Sequence, residues 1–67
     1  MNDIAELADL LRETSEHHDA FEKAAPEHHW WDWYAAYMAS RQHGGSSEES
    51  SAAAAKYMAG LGVVVGA

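Results

Sequence analysis

Residues 24–34, AAPEHHWWDWY, connect two stretches whose apolar spacing is typical of helices. Proline disfavours helical backbone at the residue before it and has no N–H group, so Pro26 ends or kinks a helix arriving from the N-terminal side. It also suits the first position of a new helix. A kink would leave one long rod, whereas an end followed by a start favours a break. We therefore expect a helical hairpin around Pro26.

Before this segment, apolar positions recur at steps of three and four, and acidic residues occupy the opposite face. The apolar stripe consists of Ile4, Leu7, Leu11, Thr14, His18, Phe21 and Ala25. Asn2 or Asp3 is placed to cap its N-terminal end. The pattern predicts a first helix from about residue 3 to residue 24.

After Pro26, the pattern predicts a second helix from about Glu27 to Gln42, with Gly44-Gly45 as its stop. Glu27 and Asp32 then lie near its N-terminal end, where acidic side chains are favoured.

The sequence SSEES predicts the start of a third helix, since Ser46 and Glu49 have the spacing of a capping box. This helix runs from about residue 47 to residue 59, and its apolar face is mostly alanine. The β-branched run at 63–65 favours an extended C-terminal tail, either frayed or in an intermolecular contact. The expected fold is all-α, a hairpin plus a third helix in a single small domain spanning residues 1–67.

The chain is short, with 67 residues and no cysteine. A domain of this size buries only about 60% of the surface of its unfolded chain, so its core is marginal without a further constraint. Disulfides and thiolate metal sites are excluded. We expect self-association to supply the missing stability, with a homodimer as the first choice.

The net charge of −7 comes from eleven acidic and four basic side chains. Such a chain repels phosphate backbones, which argues against nucleic-acid partners and is compatible with a cationic partner. The N-terminal stretch lacks the features of a signal peptide, and no window has the apolar length of a membrane span. These observations predict a cytoplasmic protein without a membrane partner.

Two histidines stand four residues before a carboxylate, a spacing that places both side chains on one helix face. The pairs are His18 with Glu22 and His28 with Asp32. Together they form a candidate site for Zn, Cu or Ni, and no other cofactor is expected. The alternative is that His18 is a hydrogen-bonded residue of the apolar stripe and that His28 is solvated.

The three tryptophans lie within four positions, so they cannot all face one direction on a helix. Two are expected to join the core with Tyr34 and Tyr37, and the third to meet solvent, a ligand or another subunit. The pattern predicts Trp30 as the most important core residue, opposite Phe21. The alternative is an interface, because clustered aromatic residues are typical binding hot spots.

No arrangement of nucleophile, base and phosphate loop is present, so an enzyme is not expected. The sequence predicts a small acidic binding protein that self-associates and offers an aromatic surface to a cationic or apolar partner. The candidate binding residues are Glu27, Trp30, Trp31, Asp32, Trp33, Tyr34 and Tyr37. The alternative function is that of a metal-binding accessory protein using His18, Glu22, His28 and Asp32.

The run HHWWDWYAAYMASRQHG, followed by SSEESSAAAAKYM, resembles short, largely uncharacterised helical proteins of actinobacteria. These share a Trp-Tyr-Ala-x-Tyr core, an Arg, a Gly turn and an acidic helix start. The resemblance covers residues 7–65 and implies a natural helical domain, without assigning site residues. Some such proteins carry bleomycin-resistance labels, but the established drug-sequestering fold is longer and β-rich, and this chain has no strand pattern.

Overall fold

The structure is a computed structural model that describes residues 3–65. It contains three helices, α1 (Asp3–Ala24), α2 (Trp30–Gln42) and α3 (Ser47–Gly60), and no strand within the described range. The all-α prediction is confirmed. The helix α2 packs against both α1 and α3. No helix in residues 3–65 has the length and apolar character needed to cross a bilayer. The alternative cap Asn2 lies outside the described residues.

The break at Pro26 is confirmed, but α2 begins at Trp30 rather than at Glu27. His29 occupies the N-cap position in extended backbone, and its side chain makes no capping hydrogen bond. Nδ1 of His28 lies 2.8 Å from the carbonyl oxygen of Pro26. The Pro26 carbonyl thus accepts a hydrogen bond from an imidazole rather than from the backbone amide of a helix. This non-helical linker turns the His28 ring back towards α1.

Both α2 and α3 end in the same glycine motif. Gly44 and Gly62 have φ angles of 95° and 91°, which L residues with a side chain rarely adopt. The residue after each glycine donates its amide to a carbonyl five residues earlier, from Gly45 to Ser40 and from Val63 to Met58, both at 2.9 Å. These are Schellman caps, which satisfy carbonyl groups at the helix ends. Val63, the first residue of the predicted C-terminal tail, packs against the core.

The N-terminal end of α3 carries the predicted capping box. The Glu49 amide donates to the Ser46 hydroxyl at 3.1 Å, and the Ser46 amide donates to the Glu49 carboxylate at 2.8 Å. This capping box sets the start of α3, as the spacing predicted. Further along the helix, Ala54 is small and fully buried, so α3 can lie close to α2 there.

The core centres on Trp33 and Tyr37 of α2, which are 1% and 0% exposed and stack with ring centroids 5.2 Å apart. Ala54 and Met58 of α3 pack against them. Trp30 is 55% exposed, so the prediction that it is the main core tryptophan was wrong. The residue near Phe21 is Trp33, at 5.8 Å between centroids.

The predicted stripe of α1 is buried only in part. Thr14 and His18 are buried, whereas Ile4, Leu7 and Leu11 are 82%, 45% and 43% exposed. The Thr14 hydroxyl donates to a carbonyl one turn earlier at 2.6 Å, which satisfies it inside the core. The N-terminal half of α1 therefore has an apolar face that the described residues leave uncovered.

A polar cluster fastens α1 to α2. Glu13 accepts hydrogen bonds from the Tyr37 hydroxyl at 2.5 Å and from Arg41 Nε and Nη2 at 2.8 and 3.2 Å. Arg41 also donates to the Gly45 carbonyl at 2.9 Å, which ties the α2–α3 turn to the cluster. Hydrogen bonding from Arg41 holds the pKa of Glu13 below its usual range. Burial, followed by the hydrogen bond to Glu13, raises the pKa of Tyr37 to about 12.

Candidate functional site: an aromatic and acidic groove

A groove of about 460 Å³ runs between α1 and α2, and we call it the α1–α2 groove. It has an apolar and aromatic part and a negatively charged part. Its lining residues are Leu11, His18, Asp19 and Glu22 from α1 and Trp30 and Tyr34 from α2. The break at Pro26 creates this groove because it lets the start of α2 lie alongside the second half of α1.

The aromatic part of the groove is a corner formed by two rings. Trp30 and Tyr34 lie one turn apart on α2, and their ring planes meet at 74° with centroids 5.0 Å apart. On its other side, Tyr34 contacts the buried His18 ring at 5.3 Å. This packing holds Tyr34 in place, while Trp30 keeps more than half of its surface exposed. The corner thus offers ring surface to a ligand.

The charged part of the groove consists of Asp19 and Glu22, both exposed. Within residues 3–65, the Lys and Arg ion pairs are Arg12 with Asp9 and Arg41 with Glu13. Neither pair involves the groove carboxylates. The nearest imidazole nitrogen to Glu22 is Nδ1 of His18, 3.9 Å away. The groove therefore carries negative charge next to exposed aromatic surface, an arrangement suited to an organic cation.

The structure brings only part of the predicted metal set together. Nε2 of His18 lies 3.0 Å from Nε2 of His28, and Glu22 flanks the opposite nitrogen of His18. Asp32 is not part of the metal-compatible group found in the described residues, which is His18, Asp19 and Glu22. Asp32 is in the first turn of α2 because the linker delays the helix start. Burial lowers the pKa of His18, and the Glu22 carboxylate opposes that effect.

The predicted aromatic surface is divided among three places. Trp33 and Tyr37 lie in the core and offer no surface to a partner. Trp31 is half-exposed and stacks on His29, with centroids 4.5 Å apart and planes at 10°.

Glu27 and Asp32 line a second cavity, of about 470 Å³, on the side of Met58, Leu61 and Val63. Of the seven predicted binding residues, only Trp30 and Tyr34 line the α1–α2 groove.

Sequence reasoning missed Leu11 and Asp19 as groove residues. A signal was present, because Leu11, His18 and Glu22 are separated by seven and four positions and so lie on one face of α1. Their relation to Trp30 depends on how the linker places α2 against that face. No short-range pattern contains this information.

Comparison with known proteins gives no match, since no family model, curated protein or solved structure is significantly similar to this chain.

Proposed function

We propose that this protein is a small binding protein whose α1–α2 groove takes an organic cation, such as a guanidinium or alkylammonium group. The observation that carries the proposal is the juxtaposition of the Trp30–Tyr34 corner with Asp19 and Glu22 in one groove. The cation can belong to a small molecule or to an Arg or Lys side chain of a partner protein. Both sources offer the same chemistry to the groove.

Two physical effects favour a cation over a neutral ligand. A cation over an aromatic face gains about 0.5–1 kcal/mol at an exposed site and about 2 kcal/mol when it is desolvated. The two groove carboxylates add Coulomb attraction, and the net charge of −7 attracts cations at long range. Because Asp19, Glu22 and Trp30 are exposed, a ligand the size of one side chain stays partly hydrated and should bind with a Kd of about 1 mM. A peptide that presents several cations should bind more tightly.

The first experiment is an NMR titration of the full chain, in the presence of EDTA, with N-acetylarginine amide. The neutral isostere N-acetylcitrulline amide serves as the matched control ligand. We expect the arginine derivative to shift the Trp30 indole resonance with saturation, and the citrulline derivative to produce a much smaller shift. Equal responses to both ligands would refute a site for cations. A peptide with three arginines, compared at equal arginine concentration, distinguishes a partner protein from a small molecule.

Variants locate the site. We expect Trp30→Ala and the double variant Asp19→Asn/Glu22→Gln each to weaken binding by about fivefold to tenfold, the loss of roughly 1 kcal/mol. Tyr57→Ala is the control for the ring, because Tyr57 is 51% exposed and lies on α3, outside the groove. Glu16→Gln is the control for charge. If the controls weaken binding as much as the groove variants do, the ligand responds only to overall charge and aromatic content.

Self-association is a second part of the proposal. It is supported by the exposed apolar face of α1, where Ile4 and Leu7 lie one turn apart and are 82% and 45% exposed. The occupant that we propose is the same face of a second copy, since two such helices can cover each other symmetrically. The small size of the core makes this added burial valuable. Sedimentation velocity of the full chain tests it directly.

A further inference from the structure

Two imidazole rings from separate segments meet beside the core. His18 is in α1 and His28 is in the linker, and their Nε2 atoms are 3.0 Å apart. His18 is only 4% exposed, and the His28 ring meets the Phe21 ring at 5.2 Å between centroids, with the two planes at 82°. Trp33 and Tyr34 contact the other sides of His18, at 5.4 and 5.3 Å. The two nitrogens are thus held in a largely aromatic surrounding.

The groups on the far sides of the rings indicate where the protons reside. The Pro26 carbonyl can only accept, so the 2.8 Å contact places a proton on His28 Nδ1 and a lone pair on its Nε2. Nδ1 of His18 lies 3.9 Å from the Glu22 carboxylate, which is too far for a hydrogen bond, but the nearby negative charge favours a proton on that nitrogen. With both Nδ1 atoms protonated, the two Nε2 atoms carry lone pairs and lie 3.0 Å apart. A cation bound by both nitrogens removes the repulsion between these lone pairs.

We propose that His18 and His28 bind one transition-metal ion, Zn²⁺, Cu²⁺ or Ni²⁺, through their Nε2 atoms. Metal–imidazole bonds of about 2.0–2.1 Å in tetrahedral geometry place two ligand nitrogens roughly 3.3 Å apart, so the rings need to separate by only a few tenths of an ångström. A carbonyl and a carboxylate beyond the two Nδ1 atoms are the outer partners that orient metal-binding histidines. This proposal does not rest on the proposed cation groove, although His18 and Glu22 belong to both.

The coordination step requires no redox partner. If the metal-free pair shares a hydrogen bond from His18, that proton moves from Nε2 to Nδ1 of the same ring, where Glu22 faces it. The two Nε2 lone pairs then replace two water molecules of the hydrated ion, and the remaining positions keep water. With two protein ligands, we expect Cu²⁺ to bind more tightly than Ni²⁺ or Zn²⁺.

The alternative to a metal ion is a hydrogen bond between two neutral rings. In that arrangement Nε2 of His18 carries a proton and donates it to Nε2 of His28, 3.0 Å away. Nδ1 of His18 is then a lone pair 3.9 Å from the Glu22 carboxylate, which is electrostatically unfavourable. The acceptors beyond the two Nδ1 atoms therefore favour the tautomers that leave both Nε2 atoms free to bind a metal ion.

The test is isothermal titration calorimetry of the untagged, EDTA-treated full chain with CuSO₄, NiCl₂ and ZnCl₂. The informative variant is His28→Ala, because His28 is in the linker and only partly buried. The matched control is His29→Ala, since His29 is the next residue, is exposed and stacks only on Trp31. We expect one ion per chain for the wild type and for His29→Ala, and at least about tenfold weaker binding for His28→Ala.

A second readout identifies the ligand atoms. Zn²⁺ should shift the Nε2 resonances of His18 and His28 in ¹⁵N spectra of the imidazoles and leave those of His17 and His43 in place. Absence of binding to the wild type, or equal weakening by His28→Ala and His29→Ala, overturns the proposal. Shifts at Nδ1 instead of Nε2 overturn it as well. Circular dichroism of each variant shows whether the fold is retained.

Discussion

Trp33 should be the residue on which the stability of this protein depends most. It is 1% exposed and contacts Tyr37, Phe21 and His18 at centroid distances of 5.2, 5.8 and 5.4 Å. Truncating such a tryptophan to alanine typically costs about 3–5 kcal/mol. At 0.05–0.15 kcal/mol per residue, a chain of this length has a total stability of about 3–10 kcal/mol. Trp33→Ala should therefore remove between about a third and all of this stability.

Trp30→Ala gives the contrast, because Trp30 is 55% exposed. Its buried part is less than half of a side chain of 150–250 Å², which at ~25 cal/mol per Å² amounts to at most about 2–3 kcal/mol. That figure is an upper bound, and alanine regains up to about 0.7 kcal/mol through its higher helix propensity. We expect a net loss of about 1–2 kcal/mol.

Urea denaturation followed by far-ultraviolet circular dichroism measures both losses. Trp33→Phe keeps the comparison interpretable if Trp33→Ala does not fold, because phenylalanine retains a ring at the core position. It also removes the Trp33 Nε1–H, which is buried without a hydrogen-bond partner among residues 3–65. We expect the order of stability to be wild type, Trp30→Ala, Trp33→Phe and Trp33→Ala. A Trp30→Ala variant as unstable as Trp33→Ala would show that the core assignment is wrong.

Three further changes test other parts of the structure. The pKa of Glu13 is lowered in the folded state, so its ionised carboxylate stabilises the fold at pH values above the ordinary glutamate pKa of 4.5. This contribution is lost as the pH falls through the lower folded-state pKa. Urea midpoints should therefore drop more in acid for the wild type than for Glu13→Gln. In Gly45→Ala the added Cβ meets the hydroxyl and carbonyl oxygens of an α2 serine at 2.6 and 3.0 Å, so thermal melts should show a loss of about 1–3 kcal/mol. Gly60→Ala is its control, because nothing lies within 4 Å of that Cβ, and it should be neutral or stabilising. The double variant Ile4→Asp/Leu7→Asp should sediment as a monomer where the wild type is a dimer, and a wild type that is monomeric at ~100 μM would refute self-association through this face.

The features that the sequence predicted well are those encoded within a single turn. Ser46 and Glu49 meet each other across three positions, and their capping box forms as the spacing indicated. Pro26 ends α1 because its ring and its missing N–H act on adjacent residues. Gly44 ends α2, as predicted, because only its own φ angle is involved. In each case the cause and its effect lie within about six residues.

The start of α2 was placed three residues too early because its cause is not local. Proline at position 26 is compatible with a helix beginning at Glu27, and acidic residues follow it. The linker instead stays non-helical, with the His28 ring against Pro26 and against His18, ten residues earlier in the chain. A contact with another helix therefore outweighed a favourable local pattern.

By itself, the sequence determined that the chain is all-α, where α1 and α3 begin, and that one proline and two glycines separate the helices. Only the tertiary structure decided which tryptophan is buried, since that depends on the rotation of α2 about its axis, and each residue changes the direction of a side chain by about 100°. It likewise decided that Glu13 meets Arg41, 28 residues away, and that Asp19 and Trp30 share a groove. Such pairings follow from how whole helices pack, because residues far apart in the chain meet only after the hairpin closes.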